Sequence, residues 1–233
     1  MKNLRRSAVA LLPAAILAFA LAGEARAVLT LNLSTDGSSV TISDNGAGDL
    51  NPLLGAVTFS GPLGVFVVNV TTGVSYPLLG SPTTPEMSLS SLNLTSTSGG
   101  TLTVSLSQVN FATSGQVTFL ANLGGAAVTD GPAASISYDT FLGSNNQLFS
   151  TSTPLTGIDV TGGAFSGSDT ATVNTTANYS LTQVATFNLP GASDLISVTA
   201  ALQVPEPATL LLLGLALAGL GFYSRLRSRA STP

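Results

Sequence analysis

Residues 179–204 read YSLTQVATFNLPGASDLISVTAALQV, and this stretch decides the fold. Tyr179, Leu181, Ala185, Phe187 and Leu189 fall on one side of an alternating run. Pro190-Gly191 breaks it, and Ile196, Val198, Ala200, Leu202 and Val204 then alternate with polar or small residues. A period of two puts successive side chains on opposite faces of a strand, so both runs predict half-buried strands. The same signature recurs outward along the chain. Leu29, Leu31 and Leu33 share one face of the segment beginning at Val28. Leu89 to Thr97 and Thr101 to Val109 alternate on either side of Ser98-Gly99-Gly100, which predicts a β-hairpin. Val65 to Val70 and Val74-Ser75-Tyr76 flank Thr71-Thr72-Gly73, which predicts a second. Many short strands separated by Gly, Asn and Pro turns predict an all-β domain over residues 28–204, an antiparallel β-sandwich or jelly-roll-like fold. A parallel β-helix is the alternative, but it needs a fixed-period repeat that the sequence lacks.

The charges are segregated. The chain has 233 residues with 7 Lys+Arg, 11 Asp+Glu, no His, no Cys and no Trp. Every cation lies in a terminal segment, at Lys2, Arg5, Arg6, Arg26, Arg225, Arg227 and Arg229. The body between them is purely acidic at low density. It has no cation to neutralise phosphate, so no nucleic-acid partner is expected. Without Cys or His there is no disulfide framework, thiolate nucleophile, Ser–His–Asp triad or Cys/His metal site. No Gly-Lys-Ser/Thr or Gly-x-Ser-x-Gly frames a phosphate loop or nucleophile elbow. Glycoside hydrolysis needs a carboxyl pair, and Glu86, the body's one Glu, sits in a Pro-rich loop without a framing motif. The chain is read as a non-enzyme.

The first 27 residues read as a secretory signal peptide. A basic start, Met1 to Arg6, precedes an apolar stretch from Ala8 to Ala22, and Ala25-Arg26-Ala27 gives a small-x-small cleavage pattern with Val28 as the mature start. The secretory translocon and signal peptidase are the partners this implies.

Residues 205–233 read as a second address. Ala208 to Tyr223 is an apolar run of 16 residues, which as a helix is about 24 Å long, just short of a hydrocarbon core of about 30 Å. Arg225, Arg227 and Arg229 follow and predict a cytoplasmic C-terminal end with the acidic body outside. Pro205-Glu206-Pro207 stands just before the run. Proline motif, apolar helix and Arg cluster in this order resemble the PEP-CTERM sorting signal of exported bacterial proteins. That resemblance implies recognition by an exosortase, with an inner-membrane-anchored precursor and then release or attachment at the cell surface. It also implies a setting of exopolysaccharide and biofilm. Three body segments resemble an uncharacterised domain that recurs among such proteins: Asp44 to Pro52, Thr101 to Phe111 and Tyr179 to Gln183.

Within the body, Asp44, Asp49 and Asn51 cluster around glycines, and carboxylate and amide oxygens of this kind suit calcium. The ordinary reading of the same segment is a polar Asn-Gly turn. Asp130, Asp159 and Asp169 sit in Gly-rich stretches and read as turn residues. Tyr76, Tyr138 and Tyr179 are possible carbohydrate contacts, while Phe66, Phe119 and Phe187 fall on alternating patterns and read as core. The function expected is a structural or interaction role at the cell surface or in an extracellular polysaccharide matrix. The alternative is a secreted carbohydrate- or calcium-binding module.

Overall fold

A computed structural model describes residues 28–192 and 194–205. The signal peptide with Ala25 and Ala27, the apolar run 208–223, Glu206, Pro207 and the Arg225, Arg227 and Arg229 tail lie outside the described residues.

The body is a sandwich of two six-stranded sheets, antiparallel throughout. In chain order the strands are β1 (Leu29–Thr35), β2 (Ser38–Ser43), β3 (Ala56–Leu63), β4 (Phe66–Val74), β5 (Glu86–Ser96), β6 (Gly100–Phe111), β7 (Gly115–Val128), β8 (Ser135–Gly143), β9 (Thr153–Thr161), β10 (Ala164–Thr175), β11 (Tyr179–Leu189) and β12 (Leu195–Gln203). The first sheet runs β2-β1-β6-β11-β8-β9 and the second β10-β7-β12-β5-β4-β3. The expected sandwich is what forms, and a parallel β-helix is excluded by the antiparallel pairing of every strand.

Alternation explains the layers. Leu29, Leu31 and Leu33 of β1, Leu102, Val104 and Leu106 of β6, and Leu181, Ala185, Phe187 and Leu189 of β11 are buried. Met87 and Leu89 of β5, Phe119 and Ala121 of β7, and Ile196, Val198, Ala200 and Leu202 of β12 meet them from the other sheet in one core. Phe66, Phe119 and Phe187 are all core residues, as expected. The outward positions between them are mostly small or polar residues.

Both predicted hairpins are overturned. Ser98-Gly99-Gly100 does not fold β5 back onto β6. β5 pairs with β4 and β12, and β6 with β1 and β11, in opposite sheets. The turn is an arch across the core, with Gly99 at φ +74°. A Cβ on Gly99 would stand 2.8 Å from the Pro190 carbonyl oxygen, in the neighbouring arch between β11 and β12. Thr71-Thr72-Gly73 is not a turn either, because β4 runs straight through it. Gly73 is there for packing: a Cβ at that position would lie within 3.0 Å of Leu106 Cδ2 and 3.2 Å of its Cγ. The true hairpin lies earlier, where Leu63 pairs with Phe66 around Gly64.

Successive strands alternate in direction, so the sandwich has two well-defined ends. One end carries Val28, the loops 44–55, 75–85, 112–114, 144–152 and 176–178, and the exit at Pro205. The loop 144–152 folds back over the outer face of the first sheet. Phe149 N–H donates to Ser107 Oγ at 2.9 Å, and Ser180 Oγ donates to the Gln147 carbonyl at 2.7 Å. The outer face of the second sheet carries no such cover among the described residues.

Candidate functional site

The Asp44–Asn51 loop is built around its carboxylates. Asp49 Oδ1 accepts the N–H groups of Asn51 and Thr58, both at 2.9 Å, and its Oδ2 accepts Asn45 N–H at 2.8 Å. Asp44 Oδ2 accepts Gly55 N–H at 2.7 Å, and its Oδ1 accepts the Asn45 amide at 2.9 Å. Asn51 Oδ1 accepts Leu53 N–H at 3.0 Å. These acceptors satisfy backbone donors that the turn leaves without a ladder partner, and they tie the loop to the edge of β3. Asn45 sits at φ +54° and Gly48 at φ +88°, which fits Asn and Gly at those positions. Asp44, Asp49 and Asn51 thus share one loop, and each engages N–H donors of the loop or of β3. Among the described residues no group of three or more His, Cys, Asp or Glu side chains gathers as a metal centre.

The other acids are dispersed. Asp36 lies in the β1–β2 turn and Glu86 opens β5. Asp159 and Asp169 are strand residues of β9 and β10, not turn residues. Asp169 Oδ2 accepts Gly157 N–H at 3.1 Å and so covers a backbone donor on the edge strand of the first sheet. Asp130 does lie in a loop. Its N–H donates to Asp194 Oδ1 at 3.4 Å, and Asp194 Oδ2 accepts Gly191 N–H at 2.8 Å. Asp194 is fully buried and holds the two neighbouring loops of that end together.

Two of the three tyrosines are not surface contacts. Tyr138 and Tyr179 are buried, because both fall on inward positions of β8 and β11. Burial pushes the Tyr138 hydroxyl far above the ordinary tyrosine range. Burial also raises Tyr179, and the Thr113 side chain opposes that shift without making a bond of ordinary geometry. Only Tyr76 of the three is partly exposed. Gln183 also lies on the buried face of β11, and both of its amide atoms lack a hydrogen-bond partner among the described residues.

The open outer face of the second sheet carries a shallow concavity. It is a groove of about 610 Å³ over β10, β7 and β12. Register places Thr199, Gly124 and Ser166 in one row and Ala201, Asn122 and Ser168 in the next. Gly124 and Ala201 supply a low floor. Asn122, Ser166, Ser168 and Thr199 supply donors and acceptors, and no lining residue is charged. A Cβ at Gly124 would meet nothing within 4 Å, so this glycine opens space instead of relieving a clash. Sequence reading missed these residues. The available signal was Gly124, Gly125 and Gly167 inside strand-like runs, since glycine within a strand marks a bulge or a close approach. A second groove, of about 440 Å³, lies beside the chain exit and is lined by Thr83, Thr84, Thr113, Ser114, Val204 and Pro205, among others.

No curated protein matches the chain. Solved structures with similar strand arrangements include the C-terminal CBM6 of LamC, a laminarinase from Zobellia galactanivorans. It is 15% identical over 49% of this chain and 78% of that one, with a TM-score of 0.25. TmCBM61, solved with β-1,4-galactotriose, is 7% identical over 73% of this chain and 86% of that one, at a TM-score of 0.31. The mannan-recognising module TmCBM27 is 10% identical over 60% and 90%, at 0.27. The sequence itself carries the firmer match: residues 203–228 fit the PEP-CTERM protein-sorting motif, which spans Pro205-Glu206-Pro207, the apolar run, Arg225 and Arg227, and is consistent with an exosortase substrate.

Proposed function

We propose that this is an exported surface or matrix protein whose sandwich body associates with neutral extracellular polysaccharide, the exopolysaccharide of a biofilm among them. The carrying observation is the uncharged groove across β10, β7 and β12, with Asn122, Ser166, Ser168 and Thr199 around a floor of Gly124 and Ala201. Strands about 4.8 Å apart repeat these groups at a spacing suited to successive hydroxyls of a sugar chain. Hydroxyl and amide groups replace the hydration of a neutral sugar without the desolvation cost of a buried charge. Four solvent-facing polar side chains leave little surplus after the cost of association, so binding at a single site is weak. Useful retention then comes from many copies on one polymer. The sorting motif supports delivery to the cell surface through an exosortase, from a precursor held in the membrane by residues 208–223.

The test is affinity electrophoresis of the purified chain through gels containing dextran, a β-glucan or the host's own exopolysaccharide. Retardation by at least one polymer, lost in Gly124→Gln with the melting temperature unchanged, supports the reading. Equal mobility with and without every polymer overturns it. A second reading, calcium at Asp44, Asp49 and Asn51, is supported by the presence of two carboxylates and an amide oxygen on one short loop. A melting temperature that rises with calcium in the native chain, and does not in Asp49→Asn, would support it; identical melting in calcium and in chelator removes it.

A further inference from the structure

We infer that the end of the sandwich where the chain exits is a lipid-docking surface, built from Leu53, Leu54 and Leu78, with Leu50 and Val28 exposed at the same end. The partner is the zwitterionic lipid of the leaflet that holds the precursor's own C-terminal segment. This rests on the membrane-held precursor of the preceding section.

The first observation is where exposed apolar side chains lie. Among the described residues eight large hydrophobics are exposed: Val28, Leu50, Leu53, Leu54, Val67, Leu78, Val128 and Leu195. The first, second, third, fourth and sixth of these belong to the end that also releases the chain. Leu53 is 56% exposed, Leu50 62% and Leu78 50%, in loops that the fold holds in place. Ala56 N–H donates to the Leu53 carbonyl at 3.1 Å, Ser75 N–H to Gly55 at 2.9 Å and Leu78 N–H to Ser75 at 3.0 Å. A Cβ on Gly55 would stand 2.8 Å from Leu78 N and 2.9 Å from Pro77 Cδ, so the two leucine loops pack directly on each other. Single exposed leucines are ordinary, but several on adjoining rigid loops form a patch.

The second observation is reach. Register sets Ala56 level with Val74, Ser88 and Ala201, four residues before Pro205. Leu53 and Leu54 precede Ala56 and so sit near the level of the exit. β3 stands three strands from β12, about 14 Å to the side. From Pro205 to Ala208, where the apolar run begins, is at most about 10 Å of extended chain. An interfacial zone several ångströms deep therefore lies within reach of the leucines once residues 208–223 are inserted. Charge selects the lipid. The body has no Lys or Arg, and Asp44, Asp49 and Glu86 are at this end. Docking on zwitterionic lipid is thus apolar and insensitive to salt, while anionic lipid opposes it through the acidic groups.

The absence of Trp from the chain supplies the test. The chain from Val28 to Pro233 with Leu53→Trp, and separately with Val128→Trp at the opposite end, is reconstituted into phosphatidylcholine/phosphatidylethanolamine vesicles with and without dibrominated lipid. Flotation reports anchoring. The expected result is flotation of both, with emission from Leu53→Trp blue-shifted and quenched at least twofold by brominated lipid, and emission from Val128→Trp unquenched. Flotation with an unquenched, water-like Leu53→Trp overturns the docking surface and leaves the anchor standing. A blue-shifted but unquenched signal means protein covers the patch, a second copy included, and also overturns it. Failure to float overturns the anchor and this inference together.

Discussion

Gly73→Ala tests whether the two sheets are in contact where the structure places them. The sequence around it, Thr71-Thr72-Gly73, has the composition of a turn, and alanine in a surface turn with ordinary φ would be neutral or slightly stabilising. In the sandwich the added methyl points into the core. It would stand 3.0 Å from Leu106 Cδ2 and 3.2 Å from Cγ, so the whole fork of the leucine is in its way and not merely one rotatable tip. Leu106 is fully buried and paired on both sides, with Leu31 and Gln183. Overpacking of this kind costs about 1–3 kcal/mol. The reduced freedom of the unfolded chain offsets about 0.4–1 kcal/mol. The net expectation is a loss of about 1–2 kcal/mol, which for a body of this size is a fall in Tm of about 2–8 °C. Leu106→Ala alone should lose about 2–5 kcal/mol through its cavity. Because the methyl introduced by Gly73→Ala would occupy part of that cavity, the double variant should be more stable than the sum of the singles by about 1 kcal/mol or more. Urea unfolding of the four proteins reads all of this. A Gly73→Ala protein as stable as the parent, or strictly additive singles, would refute the facing of β4 onto β6.

Other outcomes follow from single groups. Asp49→Ala leaves three N–H groups without their acceptor and should lose about 1–3 kcal/mol in thermal unfolding; an unchanged Tm would deny that this carboxylate holds the loop. Asp194→Ala strands Gly191 N–H and should cost a similar amount in the same assay, with amide exchange accelerating first at residues 129–131 and at Gly191. Tyr138 and Tyr179 have folded-state pKa values raised by burial. Their contribution to stability is therefore complete below the unfolded value of about 10 and is lost as pH rises beyond it. Urea midpoints should hold steady up to about pH 10 and fall above it, and the Tyr138→Phe/Tyr179→Phe protein should keep its midpoint over that range. Equal alkaline loss in both proteins would place the sensitivity elsewhere.

The layers of this fold were legible and its connections were not. Leu29, Leu31 and Leu33, and Ile196 to Leu202, declare their buried face by period alone, because each strand contacts the core on one side. An arch and a hairpin share one local signature, two alternating runs around a Gly turn. Which forms depends on whether the runs lie side by side or face to face. For β5 and β6 that choice is made by β4, β12, β1 and β11, which take all four of their edges. Gly73 misled for a related reason: a glycine needed by a distant leucine looks the same in sequence as one needed by a turn. Tyr138 and Tyr179 resemble surface groups by residue type, but both occupy inward positions, where the ring fills the core and the hydroxyl has no hydrogen-bond partner among the described residues. The Asp44–Asn51 cluster was legible because its contacts are local. The groove was not, since Asn122, Ser166 and Thr199 meet only through the β10-β7-β12 pairing.

The groove and the leucine patch occupy different sides of the molecule, and that separation bears on both proposals. The exit at Pro205 lies at one end of the strands, while Ala201, Asn122 and Ser168 form one row on a sheet face, with Ala201 four residues before Pro205. Four residues of strand span about 13 Å. A sandwich resting on lipid by its exit end therefore holds that row about 13 Å back from the exit, with the sheet face turned sideways into the medium. The loop 144–152 covers part of the opposite face, so the open face is the one with the groove. Polymer binding should then be the same whether or not the body is docked. Vesicle-bound chain carrying Leu53→Ser and Leu78→Ser should retain the polymer affinity of the parent, whereas Gly124→Gln should lose it with membrane contact intact. If the leucine changes instead weakened polymer binding, the polymer would have to pass along the exit end, and the groove beside Thr83, Thr84, Thr113 and Ser114 would become the site to test.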